Sequence, residues 1–288
     1  MNLVLVCINN FQDYILTNIY QLLKLNHHNI YVLTNGCFFD NFTRFENKIH
    51  LIDVENLTDT YNYYSNTPLN KLFRGGFWPL ASLRFFYLYE FMKSFNIRDV
   101  IHIENDVLLY YNCDEIIDKF DKQYIYMPFD CLWRNIASIV YIPCHDILKQ
   151  VLDNYDMKEH DMNNFRTIQV KTGLIQNLPI FIYEHINLPD IAFVSKNYNH
   201  FKFIFDAAAM GQYIGGVDPM NDARNTVGFV NETCVIKYNN YEFYWFIING
   251  IKKPFIKINE EMIPIFNLHI HCKDLGKYGE SGFLKVER

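Results

Sequence analysis

The sequence predicts an α/β fold built on a Rossmann-like sheet flanked by helices. Three observations carry this: a strand, helix, strand start; a long helix feeding a second buried strand; and an acidic triplet at that strand's exit. The first strand is LVLVCI (Leu3 to Ile8), a continuous apolar run of the kind buried on both faces of a sheet. Gln12 to Leu25 then carries Ile15, Ile19, Leu22 and Leu23 at helical spacing. NIYVLTNG gives a second strand closed by a turn at Asn35-Gly36, and HLIDV (His50 to Val54) a third. Such a start implies a parallel sheet with right-handed crossovers, whose ligands gather at the carboxyl ends of its strands.

Residues 59–76 have no clear period and read as a loop holding Lys71, Arg74 and Gly75-Gly76. From Pro79 to Asn96 the pattern is helical, and the strand VIHI follows at once. YIYMPF and SIVYIP read as two more strands, His145 to Tyr155 as a helix, and IFIYEH as a strand ending near Leu188-Pro189. No internal repeat or linker divides the chain, so residues 1–288 are expected to form a single domain.

Composition narrows the function. Half of the 288 residues are hydrophobic and 20% are charged, which supports a sizeable core. A net charge of −6 without a basic cluster larger than Lys252-Lys253 argues against nucleic acid as a partner. The seven cysteines are scattered with no CxxC pair, a pattern of ordinary thiols in a reducing compartment. The apolar N-terminal run is too short for a signal peptide, and no stretch reaches the roughly 18 apolar residues of a membrane span. The expectation is a soluble, cytoplasmic protein with no integral membrane segment.

The acidic triplet is Glu104-Asn105-Asp106, at the end of VIHI. Carboxylates are costly to bury without a cation. On a continuing strand the two would share a face; at a strand exit they can converge on one ion, and hard oxygen ligands suit Mg²⁺ or Mn²⁺. The plainer alternative is a solvated turn. In NLHIHCK (Asn267 to Lys273), His269 and His271 face one way on an extended backbone, with Lys273 on the same side, and by themselves they read as a pair of satisfied core histidines. In FDAAAMGQYIGGVDP (Phe205 to Pro219), Asp206 reads as a helix cap, and small side chains would let a ligand approach with Asp206 and Gln212 lining its pocket.

Together these segments resemble the GT-A glycosyltransferases, and in particular a bacterial and giant-virus group carrying END, FDAxxxGQYxGG, an N-E pair (here Asn231-Glu232) and HIHxK. The resemblance spans Leu3 to about Lys273, and departs from the commonest D-x-D in having Glu at its first position. It implies a Rossmann-like mixed sheet, with residues 1–112 as the nucleotide-binding half and 113–288 as the acceptor half closed by HIHCK. It implies Mn²⁺ or Mg²⁺ on Glu104, Asp106 and one of His269 and His271. It also implies a nucleotide-sugar donor, uridine diphosphate being the expected carrier, contacted by Asn9, Asn35, Arg84, Asn105 and Lys273.

Asn9 and Asn35 stand at strand exits, where Asn is equally a turn residue; Arg84 could equally be an exposed helix arginine. Asp206, Gln212 and Glu232 are the catalytic candidates. Retention is the expected outcome, with Glu232 or Asp218 as the base if the reaction inverts. The acceptor, a glycan, a protein or a small molecule, is not encoded in a motif. Two other functions compete. A sugar nucleotidyltransferase needs a Gly-rich basic loop after its first strand, and CINNFQDY has no Gly, Lys or Arg. A non-catalytic carbohydrate-binding protein would leave the triplet and HIHCK without a role.

Overall fold

The computed structural model describes residues 1–182, 198–222 and 226–279. The later part of IFIYEH lies outside them, and Ile180–Ile182 belong to no strand. Seven strands form the central sheet: β1 (Asn2–Cys7), β2 (Ile30–Thr34), β3 (His50–Asp53), β4 (Val100–Ile103), β6 (Ile125–Met127), β9 (Ile139–Ile142) and β10 (Ile175–Asn177). Between and beyond them run β5 (Val107–Leu109), β7 (Phe129–Cys131), β8 (Arg134–Asn135), β11 (Glu242–Ile248), β12 (Ile251–Ile258), β13 (Glu261–Pro264) and β14 (Asn267–His269). The sheet order is β3-β2-β1-β4-β9-β6-β10. β1, β2, β3 and β4 are mutually parallel, whereas β9 runs antiparallel to both β4 and β6, so the sheet is mixed.

The period of two along β1 builds two cores. Leu3, Leu5 and Cys7 join one cluster, with Ile15, Ile19 and Leu22 of α1 (Ile15–Lys24). Val4, Val6 and Ile8 face the other, with Leu83, Phe86 and Phe91. These belong to α3 (Phe77–Ser94), which follows the single-turn α2 (Tyr63–Asn66). Alternate side chains of one buried strand thus serve opposite faces. Three consecutive left-handed residues, Arg74 (φ 49°), Gly75 (φ 67°) and Gly76 (φ 88°), turn the chain into α3. Two glycines meet that demand at little steric cost.

Helices α4 (His145–Leu152), α5 (Asp161–Thr172), α6 (Tyr198–Phe201), α7 (Ala209–Gly215) and α8 (Leu275–Tyr278) complete the described α-helices. α5 was not expected: its sequence is polar, and Phe165 and Ile168 are its only buried aromatic and aliphatic side chains. The antiparallel sheet β11-β12-β13 was not expected either. It turns at Asn249-Gly250 (φ 53° and 76°) and at Asn259-Glu260 (φ 46° and 65°), two-residue turns with both central residues left-handed.

The C-terminal element differs from a closing flap. β14 pairs with β5 in the register Asn267↔Leu109 to His269↔Val107, and Leu268 and Ile270 are fully buried. It is an internal strand that ties the second half of the chain to the first. Among the described residues no helix is long and apolar enough to cross a membrane.

Candidate active site

β4 ends at Ile103, and a turn closed by the Val107 N–H on the Glu104 carbonyl (3.0 Å) holds the acidic triplet at the strand's carboxyl end. The middle residue anchors that turn. Asn105 donates through Nδ2 to the Val6 carbonyl (2.8 Å) and to Gln12 Oε1 (2.6 Å), while Asn18 donates to the Asn105 and Val107 carbonyls. The turn is pinned to the exit of β1, and Glu104 and Asp106 emerge on the same side of it.

His269 meets both carboxylates. Its Nε2 lies 3.3 Å from Glu104 Oε2 and 3.2 Å from Asp106 Oδ1, and one ligand atom from each of the three residues falls within 4.8 Å of the others. Nδ1 of the same ring is 2.9 Å from the Ala207 carbonyl. A carbonyl only accepts, so Nδ1 carries a proton and Nε2 is the nitrogen available to a cation, as in metal-ligating histidines held by a carbonyl behind them. Two carboxylates and one imidazole fit a hard divalent ion such as Mn²⁺ or Mg²⁺.

His271 lies outside this trio, because the strand ends at His269 and the chain turns. The His271 N–H bonds the His269 carbonyl (3.1 Å), and Lys273 is left-handed (φ 63°). The extended geometry expected across His269, His271 and Lys273 is therefore absent. The His271 ring lies tilted by 33° beside that of His269, centroids 4.0 Å apart, and burial followed by the neighbouring positive charges holds it neutral. Lys273 reaches the site through its left-handed turn and pairs with Asp106 Oδ2.

The site is a chain of alternating charges. Arg74 faces Asp218 (3.8 Å), Asp218 faces Lys273 (3.9 Å), and Lys273 pairs with Asp106. His269 then bridges Asp106 and Glu104; Glu104 pairs with Arg84 (2.6 Å), and Arg84 with Asp161 (3.0 Å). With His269 protonated every charge has an opposite neighbour, which is how buried ions are tolerated. Asp106 is held well below the usual carboxylate range: burial opposes its charge, but Lys273 and His269 outweigh that.

Asp206 organises this arrangement without touching the cleft. Its carboxylate accepts from Met210 N (2.9 Å) and Gly211 N (2.8 Å) at the start of α7, and from His269 N (2.9 Å). It is fully buried, and burial pushes its carboxyl up to about 6 against those N–H bonds. Asp206, expected as a sugar-pocket or catalytic residue, thus has its side chain committed to backbone. α7 crosses β14 so closely that a Cβ on Gly211 would lie 1.8 Å from the His269 carbonyl oxygen.

A cleft of about 560 Å³ opens beside the charge chain. Gln212 lines it, with a buried Oε1 that has no partner, and so do Asn105, His271 and Lys273. Arg84 lines it too, but its guanidinium is committed to Glu104 and Asp161 instead of lying free for phosphate. Three expected residues are not brought in. The Glu232 side chain is 89% exposed and sits 3.7 Å from Lys237. Asn9 and Asn35 bind each other, the Asn9 N–H donating to Asn35 Oδ1 (2.8 Å), and Asn35 continues to Glu55. Their sequence neighbours Asn10 and Gln12 line the cleft instead.

Sequence reasoning missed Asp161, which needed α5, and Asp130. The latter lines the cleft with both oxygens held by Arg134 at 2.7 Å, a contact made across the antiparallel β7-β8 pair.

The charge chain sets a pH dependence. Burial lowers the His269 pKa, but Asp106 and Glu104 overcome it and raise it from 6.5 to about 9. A folded-state pKa above the unfolded value gives stability that is complete below pH 6.5 and lost as pH rises through about 9. At 1.36 kcal/mol per unit this amounts to about 3 kcal/mol. Melts in chelator should therefore fall between pH 6.5 and 9, and His269→Gln should flatten that slope. A wild-type slope in the variant would show that another group titrates.

No protein-family model matches the chain, and no curated protein matches it. Solved structures of similar backbone course include an active-site mutant of LgtC, 12% identical with a TM-score of 0.47, over 72% of this chain and 85% of that one. The galactosyltransferase LgtC in complex with donor and acceptor sugar analogues is 10% identical, with a TM-score of 0.44 over 94% of this chain and 87% of that one. Mouse xyloside xylosyltransferase 1 in its apo form is 12% identical, with a TM-score of 0.43 over 68% and 94%.

Proposed function

We propose that this chain is a metal-dependent glycosyltransferase of the GT-A type. It would move a hexosyl or N-acetylhexosaminyl group from a uridine diphosphate sugar to a glycan, protein or small-molecule acceptor, with retention. The observation that carries the reading is the convergence of Glu104, Asp106 and His269 at the carboxyl end of β4, beside a cleft large enough for a donor. Those three residues would hold Mn²⁺ or Mg²⁺, which when bound supplies positive charge beside a diphosphate.

The chain's own residues supply the rest. Arg84, braced by Asp161, orients Glu104; the Ala207 carbonyl fixes the His269 tautomer; Asn105 fixes the turn. Lys273 brings a point charge to the same place, suited to the charge that develops on a departing diphosphate. Gln212 lines the cleft and is the side-chain amide assigned to a sugar hydroxyl in this reading. Retention is supported by the carboxylates lining the cleft: Glu104, Asp106, Asp130, Asp161 and Asp218 each already face a cation. Asp218, with its cations at 3.8 and 3.9 Å, is the least tightly held and would be the base of an inverting enzyme. A cytoplasmic setting goes with this reading, since all seven cysteines are free.

The test is a donor screen by nucleoside diphosphate release, with product anomer read by NMR. Release from a uridine diphosphate sugar in Mn²⁺, and none in excess chelator, is expected. Full turnover in chelator would remove the metal from the mechanism, and tighter binding of guanosine diphosphate would overturn the uridine assignment. A charge-assisted contact contributes about 1.5–3 kcal/mol, so Lys273→Ala should slow transfer roughly 10- to 100-fold. Lys273→Arg should restore only part of the rate. Wild-type rates in Lys273→Ala would exclude the lysine from the reaction.

A further inference from the structure

The antiparallel sheet β11-β12-β13 ends in two edges of unlike character. On the β13 side the edge is short and closed: the strand has four residues, it starts at Glu261, and at its end Pro264 brings no N–H while its carbonyl accepts the Ile204 N–H (3.1 Å). On the β11 side the edge is long and open. β11 runs for seven residues, EFYWFII, roughly 24 Å in length, and pairs with β12 alone.

The direction of its main-chain groups follows from its neighbours. The Pro254 carbonyl accepts the Ile265 N–H (3.1 Å) on the β13 side, so Pro254 and Ile256 turn their backbone toward β13, and the alternate residues Lys253 and Phe255 turn theirs toward β11. In the register Phe246↔Lys253 and Tyr244↔Phe255, the residues of β11 bonded to β12 are therefore Tyr244, Phe246 and Ile248. Phe243, Trp245 and Ile247 direct their N–H and C=O groups outward, and among the described residues no turn, loop or side chain meets them.

A row of outward main-chain donors and acceptors specifies another strand as its partner, and natural edges are guarded against this by lysine, proline, a bulge or shortness. β11 has none of these guards. Its one charge, Glu242, is its first residue and lies across from Lys257 of β12. Ile247 is 79% exposed, with Tyr244, Phe246 and Ile248 exposed beside it, an apolar surface of the kind that marks an interface.

The strand is also complementary to itself. Two copies laid antiparallel about a two-fold axis through Trp245 set Phe243 against Ile247 and Tyr244 against Phe246, pairs of the aromatic and β-branched types that stabilise sheets. Glu242 of each copy meets Ile248 of the other, so the two carboxylates stand at opposite ends and do not repel. The outward residues become the hydrogen-bonded positions, and the core-facing side chains stay on one side of the joined sheet. Because the β13 edge is closed, the contact is isologous and stops at two chains.

We propose that a second copy of this chain docks on β11, edge to edge and antiparallel, joining the two three-stranded sheets into one. The inference does not rest on the reading of the acidic cluster, and Asp106→Asn should associate as the wild type does. Sedimentation equilibrium of the full chain over about 1–100 μM should show a monomer–dimer equilibrium. Ile247→Pro removes one outward N–H and leaves the bonds to β12 in place, and Ile247→Lys sets a charge against Phe243 of the other copy. Each should keep the wild-type far-UV spectrum and raise the dissociation constant by about ten-fold or more. The register is read by oxidation in a Cys37→Ser background, which removes the exposed thiol. Tyr244→Cys mixed with Phe246→Cys should give more covalent dimer than either alone. A wild-type monomer throughout the range would overturn the proposal, and flotation of that monomer with anionic phospholipid vesicles would give the edge to a bilayer instead. An undiminished dimer in both Ile247 variants would overturn the contact, and growth beyond the dimer would overturn its closure.

Discussion

Asp106→Ala is expected to lose both Mn²⁺ and donor binding, and with them turnover by more than the 10- to 100-fold typical of losing a metal ligand's outer partner. Asp106 is the residue on which three features meet: it faces His269 Nε2 at 3.2 Å, pairs with Lys273, and accepts the Ile270 N–H through its carbonyl. Removing its charge also leaves Lys273 and His269 facing one another with one carboxylate fewer, and an uncompensated buried charge costs about 3–5 kcal/mol. Asp106→Asn separates the two effects, because it keeps the shape and a partner for Lys273 while removing the anion. Calorimetric titration with Mn²⁺ and then uridine diphosphate, alongside melts in chelator, is the measurement. Undiminished Mn²⁺ binding by a folded Asp106→Asn would take the residue out of the metal site.

Gly211→Ala should damage the site from a distance. The added methyl would stand 1.8 Å from the His269 carbonyl oxygen, 2.6 Å from its carbon and 3.1 Å from Asp206 Oδ2, so α7 or β14 must move. Both are backbone held by the Asp206 carboxylate, and neither can yield as the end of a flexible side chain would. Overpacking a tight core costs about 1–3 kcal/mol, occasionally more. The larger effect is on His269, whose N–H and Nδ1 are both fixed at this crossing. The variant should melt earlier and bind Mn²⁺ more weakly even where it remains folded. Wild-type metal affinity in a folded Gly211→Ala would show that His269 tolerates the displacement.

The local signals of the fold were readable because they are periodic. Leu3 to Ile8 and the α1 stripe Ile15, Ile19 and Leu22 each declare their element within a few residues, and the acidic triplet declares itself at a strand exit. What depended on partners far along the chain was not readable. The antiparallel course of β9 is decided by its pairing with β4 and β6, not by any property of Ile139–Ile142. The choice between His269 and His271 turned on where β14 stops and on a carbonyl at Ala207. Arg84 could be recognised as a cation, but its commitment required Asp161, on a helix whose polar sequence hides it. Asp206 read correctly as a residue near a helix start, yet its third bond, to the His269 N–H, comes from 63 residues away. The Asn249-Gly250 turn, by contrast, was a plain local signal between alternating residues, and it was overlooked.

The pairing of β14 with β5 has a consequence in time. Asp106 and His269 are separated by more than half the chain, so a ribosome adding about 5–20 residues per second needs on the order of ten to thirty seconds between one and the other. Throughout that interval the nascent polypeptide carries Glu104 and Asp106 without the imidazole that completes their trio, and without Lys273. A growing chain therefore cannot hold a finished centre, and the interval acts as a delay line between synthesis and competence.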